Sequence, residues 1–188
     1  DQVAGFARKW WQHKDMTATF TIVADCAAYA DGIAAVTRAA FAKEYGSGDG
    51  EVAVIAGLRS GGDVIVELAA LEGGAVVGHA MFSRATVAPA TLRVAAIGPV
   101  CARIDRQKSG IGSALIRDGL ARCKALGFDA AVLLGDPDYY KKFGFTREAA
   151  RGLECEYSGE HFQALELTGG ALAGGRWKLT YPAAFADI

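Results

Sequence analysis

The sequence predicts a mixed α/β domain, and three observations carry that expectation. Runs with period-2 alternation are interleaved with stretches of helical period. The 188 residues fit one domain, taken as spanning 1–188. The 24 glycines exceed the ordinary share of about 7% without any collagen-like period. They therefore mark places where backbone turns sharply or a ligand approaches closely. A hydrophobic content of 52% supplies a core and excludes wholesale disorder.

Residues 1–15 read as an N-terminal extension. Arg8, Lys9, His13 and Lys14 interrupt any secretory apolar region there. Trp10 and Trp11 beside those cations fit a short docking segment or tail, since the stretch is too short for a membrane-surface helix. Residues 17–23 are β-branched and aromatic and read as a strand. Asp25 is placed to cap a helix whose apolar positions recur at Cys26, Tyr29, Ile33, Val36, Ala40 and Phe41. Glycines at 46, 48 and 50 end it. Residues 51–58 form a short second helix, stopped by Gly61 and Gly62. Residues 64–71 and 75–86 read as a hairpin around Glu72-Gly73-Gly74. Residues 91–104 read as one long strand. A helix opens at Gly110-Ile-Gly112 and runs to about Leu126, with Gly127 as its C′ residue. Residues 130–134 are a buried strand, 137–142 allow about one helical turn, and 162–167 and 177–181 are the last strands.

Composition excludes several function classes. Lys and Arg number 20 against 21 Asp and Glu, so no cationic excess exists for gripping nucleic acid. Cys26, Cys101, Cys123 and Cys155 form no C-x-x-C pair, which suits neither zinc nor a disulfide framework. Reduced thiols in a cytoplasmic protein with no metal are expected. No apolar run approaches the ~20 residues of a spanning helix, so no membrane partner is expected.

The segment Gln107-Lys-Ser-Gly110-Ile-Gly112-Ser113 joins a strand to a helix N-terminus. There the first backbone N–H groups lack intrahelical partners, and the helix dipole adds positive character. With Arg103, Arg106 and Lys108 nearby, this suits a pyrophosphate. An ordinary tight turn is the competing reading. The Walker pattern G-x-x-x-x-G-K-[ST] is absent. A Rossmann fingerprint would need Gly or Ala where Leu115 stands, although Asp136 at the end of the next strand leaves a nucleotide-binding protein open.

Gln107, Gly110 and Gly112 match the Q/R-x-x-G-x-G/A signature, and Tyr140-Lys-Lys-Phe-Gly144-Phe145 matches a tyrosine followed by G-F. With Val76-Val77-Gly78-His79 upstream, the chain resembles the GNAT superfamily of acyl-CoA-dependent N-acetyltransferases. Residues 134–145 and 164–167 resemble its bacterial YhbS-like branch. The pattern departs at Ile104, where proline is usual, at Lys108, where glycine is common, and at Ser109, which replaces a frequent basic residue. Phosphate affinity is thereby expected to lean on Arg106 and Lys108. An Asn often found after the fifth strand and a glutamate on the fourth are also missing.

The resemblance implies a mixed sheet whose fourth and fifth strands splay apart, with acetyl-CoA as cosubstrate. Backbone groups of Val100 and Ala102 would hold the pantetheine arm. Gln107, Lys108, Ser109, Gly110, Ile111, Gly112 and Ser113 would hold the pyrophosphate. Tyr140 would protonate the leaving thiolate, the alternative being a ring packed beneath the cofactor. Tyr139 would pack or face the acceptor. Glu67, His79, Asp138 and a water chain compete as the base. Cys101 is expected to be a structural thiol rather than an acylated nucleophile, because strand alternation turns it away from its neighbours' face. Cys123 reads as packing, and His161, Glu154 and Glu156 as solvated residues. An amine acceptor, small molecule or peptide, would sit between residues 41–59 and the C-terminal strands, with Glu44, Asp49 and Glu51 as possible attractants. A homodimer is possible. A module that binds acyl-CoA without turnover is the rival.

Overall fold

Alternation along residues 64–88 builds the longest part of the sheet. In this computed structural model, which describes residues 19–186, β2 (Val64–Glu72) and β3 (Ala75–Ala88) pair antiparallel. Gly73 and Gly74 close the hairpin at φ 56° and 82°, the left-handed conformation a tight hairpin turn requires. β1 (Thr21–Val23) pairs antiparallel with β2, and β4 (Val94–Ala102) with β3. β5 (Ala130–Leu134) then runs parallel to β4, which requires a crossover, and α3 (Ile111–Ala125) supplies it. β7 (Phe162–Glu166, numbered after the short β6, Leu153–Glu154) closes that edge antiparallel to β5. β8 (Trp177–Thr180) pairs with the far end of β3 and, in parallel, with β6.

Helices cover both faces because β4 and β5 are apolar on both. On one face α1 (Ala30–Tyr45) and α2 (Asp49–Gly61) bury Ile33, Val36, Val54, Ile55 and Leu58 against Met81, Ala96 and Val132. On the other, α3 buries Ile111, Leu115, Ile116, Leu120 and Cys123 against Ala95, Ile97 and Leu133. Close approach of α3 depends on Gly119, where a Cβ would fall 2.0 Å from the Phe82 ring.

Several boundaries differ from the sequence expectation for physical reasons. Cys26 does not begin an α-helix. A 3-10 turn spans Ala27–Tyr29, with the Asp25 carboxylate accepting from the Ala27 N–H at 3.4 Å, and α1 starts at Ala30. The second helix is longer than expected, at Asp49–Gly61. The strand expected over 91–104 is confined to β4, after which Ile104–Arg106 turns as a 3-10 helix. The expected strand at 17–23 is seen as β1, and its first two residues lie outside the described ones, as do the 1–15 extension and its two tryptophans.

Candidate functional site: a cavity at the splay of β4 and β5

β4 and β5 pair only over three residues, Val94↔Ala130 to Ala96↔Val132. Beyond Ala96 β4 remains paired to β3, through Ala80↔Val100 and Gly78↔Ala102, but its β5 side is open. The cause lies in β4 itself. Gly98 and Pro99 bulge opposite Met81, Gly98 takes φ 144°, and Pro99 has no N–H to donate. A proline inside a strand was a readable sign of this break, although the 91–104 stretch reads as one strand.

The open edge leads to the N-terminus of α3. Gln107 is extended, Lys108 sits at φ 63°, and Gly110 caps the helix at φ 88°. The Ala114 N–H returns to Gly110 O at 2.9 Å. The N–H groups of Ile111, Gly112 and Ser113 therefore point out of the helix mouth. Gly78 lets this mouth sit tight against β3, since a Cβ there would fall 2.4 Å from Ile111.

A cavity of about 520 Å³ joins the two features. Its lining includes Val100, Ala102, Gln107, Lys108, Gly110, Gly112, Ser113 and Tyr140, with Cys101, Tyr139 and Lys142. Two expected site residues stand outside the lining. Ile111 is buried, so only its backbone is on offer, and the Ser109 hydroxyl turns back to Arg106 O at 2.5 Å. A larger hollow of about 820 Å³ surrounds Trp177 and Arg176, but it holds no residue of the β4 edge or of the α3 mouth.

The cations are arranged differently from expectation. Arg106 forms a two-pronged ion pair with Glu72, its Nε 2.9 Å from the carboxylate, and Arg103 is held by Asp105 at 2.6 Å. Both guanidinium groups thus brace the loop. Among the described residues, Lys108 and Lys142 are the cations that line the cavity. Lys142 was missed. Its ammonium lies 3.9 Å from the centre of the Tyr139 ring, one helical turn back, and that i,i+3 spacing was its sequence signal.

Tyr140 sits where β5 ends. Its ring lies so close over Gly135 that a Cβ there would come within 2.3 Å, and it meets Tyr139 and Phe145 edge-on. Burial, with smaller contributions from Tyr139 and Tyr45, pushes its hydroxyl up to about 12. Tyr139 directs its own hydroxyl toward Gly112. Cys101 faces α1, its Sγ 3.5 Å from the Thr37 hydroxyl, and burial pushes it up to about 11, so it remains a thiol. The register places His79 opposite it across the strands, a neighbour invisible in sequence.

None of the candidate bases lines this cavity. Burial opposes ionisation of Glu67, but hydrogen bonds from His79 and Arg59 outweigh it and hold the carboxyl at about 2. His79 is fully buried, and burial lowers its pKa, so the ring is neutral. Its Nε2–H donates to the Glu67 carboxylate at 2.9 Å, while Nδ1 has no partner among the described residues. Asp138 is exposed and paired to Lys141 at 2.7 Å, and the cap of the following turn is Asp136, which accepts from the Asp138 N–H. Cys123 packs under α3. Glu154, Glu156 and His161 lie outside the lining of the cavities on either side of the splay.

A second cavity of about 540 Å³ lies beside the same end of β5, lined by Tyr45, Ser47, Gly50, Glu51, Leu134, Tyr157 and Phe185. Of the acidic residues considered for an acceptor, Glu51 is in this lining, whereas Asp49 is paired to Arg38 at 2.7 Å. Among the described residues no cluster of three or more His, Cys, Asp or Glu could hold a metal, and no helix is long and apolar enough to cross a membrane.

Residues 27–147 match the family model for an acetyltransferase (GNAT) domain. The chain is 31% identical over 148 residues to an N-acetyltransferase of Escherichia coli, YhbS, whose function is itself uncharacterised, covering 77% of this chain and 86% of that one. The crystal structure of the E. coli protein in complex with CoA superposes with a TM-score of 0.82 at 28% identity, over 90% of this chain and 93% of that chain. A GNAT family acetyltransferase from Brucella melitensis in complex with acetyl-CoA gives 0.75 at 32% identity, over 89% of this chain and 98% of that chain.

Proposed function

The chain belongs to the GNAT family of acetyltransferases, and on that premise we propose that it transfers an acetyl group from acetyl-CoA directly to a primary amine. The observation that carries this is the cavity uniting the open edge of β4, the mouth of α3 and the Tyr140 ring. The Brucella relative is in complex with acetyl-CoA, which supports the choice of donor.

The residues fit such a donor. An unpaired strand edge at Val100 and Ala102 offers backbone groups to an amide-bearing chain. The outward N–H groups of Ile111, Gly112 and Ser113, with Lys108 and Lys142, suit a pyrophosphate. Bound acetyl-CoA supplies an acetyl carbon activated as a thioester. The protein's part is orientation and proton management. As the amine nitrogen bonds to the acetyl carbon and the C–S bond breaks, the Tyr140 O–H gives its proton to the departing sulfur, and the proton shed by the acylated nitrogen restores the tyrosine. The amine must shed a proton first, its reference pKa being about 10.4. Glu67 at about 2 is too weak a base for that, so water leading from the cavity is the favoured route.

Reference values of about 10 and 8.5 put Tyr140 and a departing thiol within reach of proton transfer. Burial acts on both in the same direction: it pushes Tyr140 up to about 12, and it disfavours a thiolate departing beside that ring. The four cysteines are free, which fits a reducing compartment such as the cytoplasm.

The test measures direct binding of acetyl-CoA and thiol release from it across an amine panel. Binding with turnover of an amine supports the proposal. Binding without turnover of any amine would favour a non-catalytic module, and absence of binding would overturn the donor assignment.

A further inference from the structure

We propose that the acceptor is a small amphipathic amine: a primary ammonium carried on an apolar alkyl or aryl body. The inference rests on the N-acetyltransferase function above and concerns the second cavity.

Strand alternation separates the two cavities by face. Along β5, Ala131 and Leu133 pack toward α3, whereas Ala130 and Val132 pack toward α1 and α2. Leu134 continues the second series, and it lines the second cavity together with Tyr45 at the end of α1. The α3 mouth opens on the opposite face. Pairing of β4 with β5 ceases after Ala96↔Val132, so the sheet is open between the two. Tyr140 marks the junction, because its ring lies on Gly135, the residue after Leu134. An amine held at Leu134 thus meets the same tyrosine from the face opposite the donor.

The chemistry of the second cavity is apolar with an acidic edge. Four large hydrophobic residues are exposed among the described ones, and two of them, Tyr45 at 67% and Leu134 at 44%, stand in this one lining. Exposed apolar side chains gathered in a concavity mark a binding surface. Tyr157 adds a fixed wall, its hydroxyl donating to Phe185 O at 3.1 Å. Glu51 supplies the negative charge for an ammonium, and among the described residues no cation is in the lining. At about 540 Å³ the space suits a small molecule. Polyamines and aminoglycosides spread several charges over a hydrophilic body, which the apolar side chains of this lining do not match.

The decisive measurement is kcat/KM for n-butyl-, n-hexyl- and n-octylamine and for phenethylamine, beside spermidine, kanamycin and an Ala-Ala-Ala peptide. Each buried methylene contributes about 0.8 kcal/mol, so kcat/KM is expected to rise roughly fourfold per methylene until the cavity is filled. Leu134→Ser, a change at an exposed position, flattens that slope without altering acetyl-CoA affinity. Glu51→Gln raises KM for every amine several-fold. A flat chain-length series, or a preference for spermidine, kanamycin or the peptide over octylamine and phenethylamine, would overturn the inference and leave the N-acetyltransferase function standing. Acetyl-CoA binding with no amine turned over would overturn both.

Discussion

Replacing Tyr140 by phenylalanine removes one oxygen and leaves the ring against Gly135, Tyr139 and Phe145. Without the hydroxyl, sulfur must depart as a thiolate into a wall that disfavours thiolates. Tyr140 itself gauges that disfavour, because burial raises the pKa of its own hydroxyl from an ordinary 10.0 to about 12. Such a rise is worth about 2.7 kcal/mol, so kcat is expected to fall roughly 100-fold, within the usual range for loss of a general acid. KM for acetyl-CoA should hardly move, since neither the α3 mouth nor the β4 edge is touched. The assay is thiol release in a single turnover, where product dissociation cannot mask chemistry. The wild-type donor stands at about 12, so it stays protonated and imposes no basic limb on kcat below about pH 11. Unchanged single-turnover rates in Tyr140→Phe would refute proton donation and leave the ring as a packing surface. Solvent deuterium should slow the wild type and not the variant.

Lys108 occupies φ 63° without being glycine, so Lys108→Gly should raise stability by up to about 1 kcal/mol in urea unfolding, while weakening acetyl-CoA binding and its dependence on salt. Lys108→Ala separates the two effects, losing the cation while keeping the strain. Lys142→Ala should weaken acetyl-CoA binding several-fold at low ionic strength with little change in thermal midpoint. Glu67 has a depressed folded pKa of about 2 against an ordinary 4.5, so its stabilisation is complete above about pH 5 and lost as pH falls toward 2. Neutral buried His79 works in the same direction, since its pKa is lowered on folding and unfolded chains take up that proton below about pH 6.5. Glu67→Gln should therefore cost about 3 kcal/mol at neutral pH and flatten the acid limb of stability followed by circular dichroism. Gly119→Ala drives a methyl into the Phe82 ring and should cost about 1–3 kcal/mol in the same unfolding measurement.

Features that depend on neighbours in sequence were legible. Gly110 and Gly112 at a strand-to-helix junction announce the open mouth of α3, because the orphan N–H groups belong to the helix itself. Tyr140 stands five residues before Phe145, and both rings come together at the end of β5. Contacts between distant segments were not legible. Arg106 lies beside Lys108 and reads as a phosphate cation, yet Glu72, thirty-four positions away, takes its guanidinium. Nothing local distinguishes a braced arginine from a free one, because the pairing follows from where β2 ends relative to the Ile104–Arg106 turn. The walls of the second cavity are equally dispersed, drawn from α1, α2, β5, Tyr157 and Phe185.

The splay lies between these cases, and it explains why one strand can serve both core and site. At Val94 to Ala96 β4 is central, paired on both sides and buried on both faces, so small apolar residues suffice there. A central strand must donate hydrogen bonds to both neighbours, and Pro99 cannot. The bulge at Gly98–Pro99 therefore ends the pairing with β5 while β3 holds the strand through Val100 and Ala102. Beyond it β4 is an edge inside the protein, and an edge without a strand partner leaves backbone groups that must be satisfied from elsewhere. Burial of that edge beside the outward N–H groups of α3 is tolerable only if an extended, amide-bearing ligand or water completes the ladder. The unpaired edge, the helix mouth and Tyr140 thus answer one physical requirement. The Gly-Pro dipeptide in an otherwise regular strand is its imprint in the sequence.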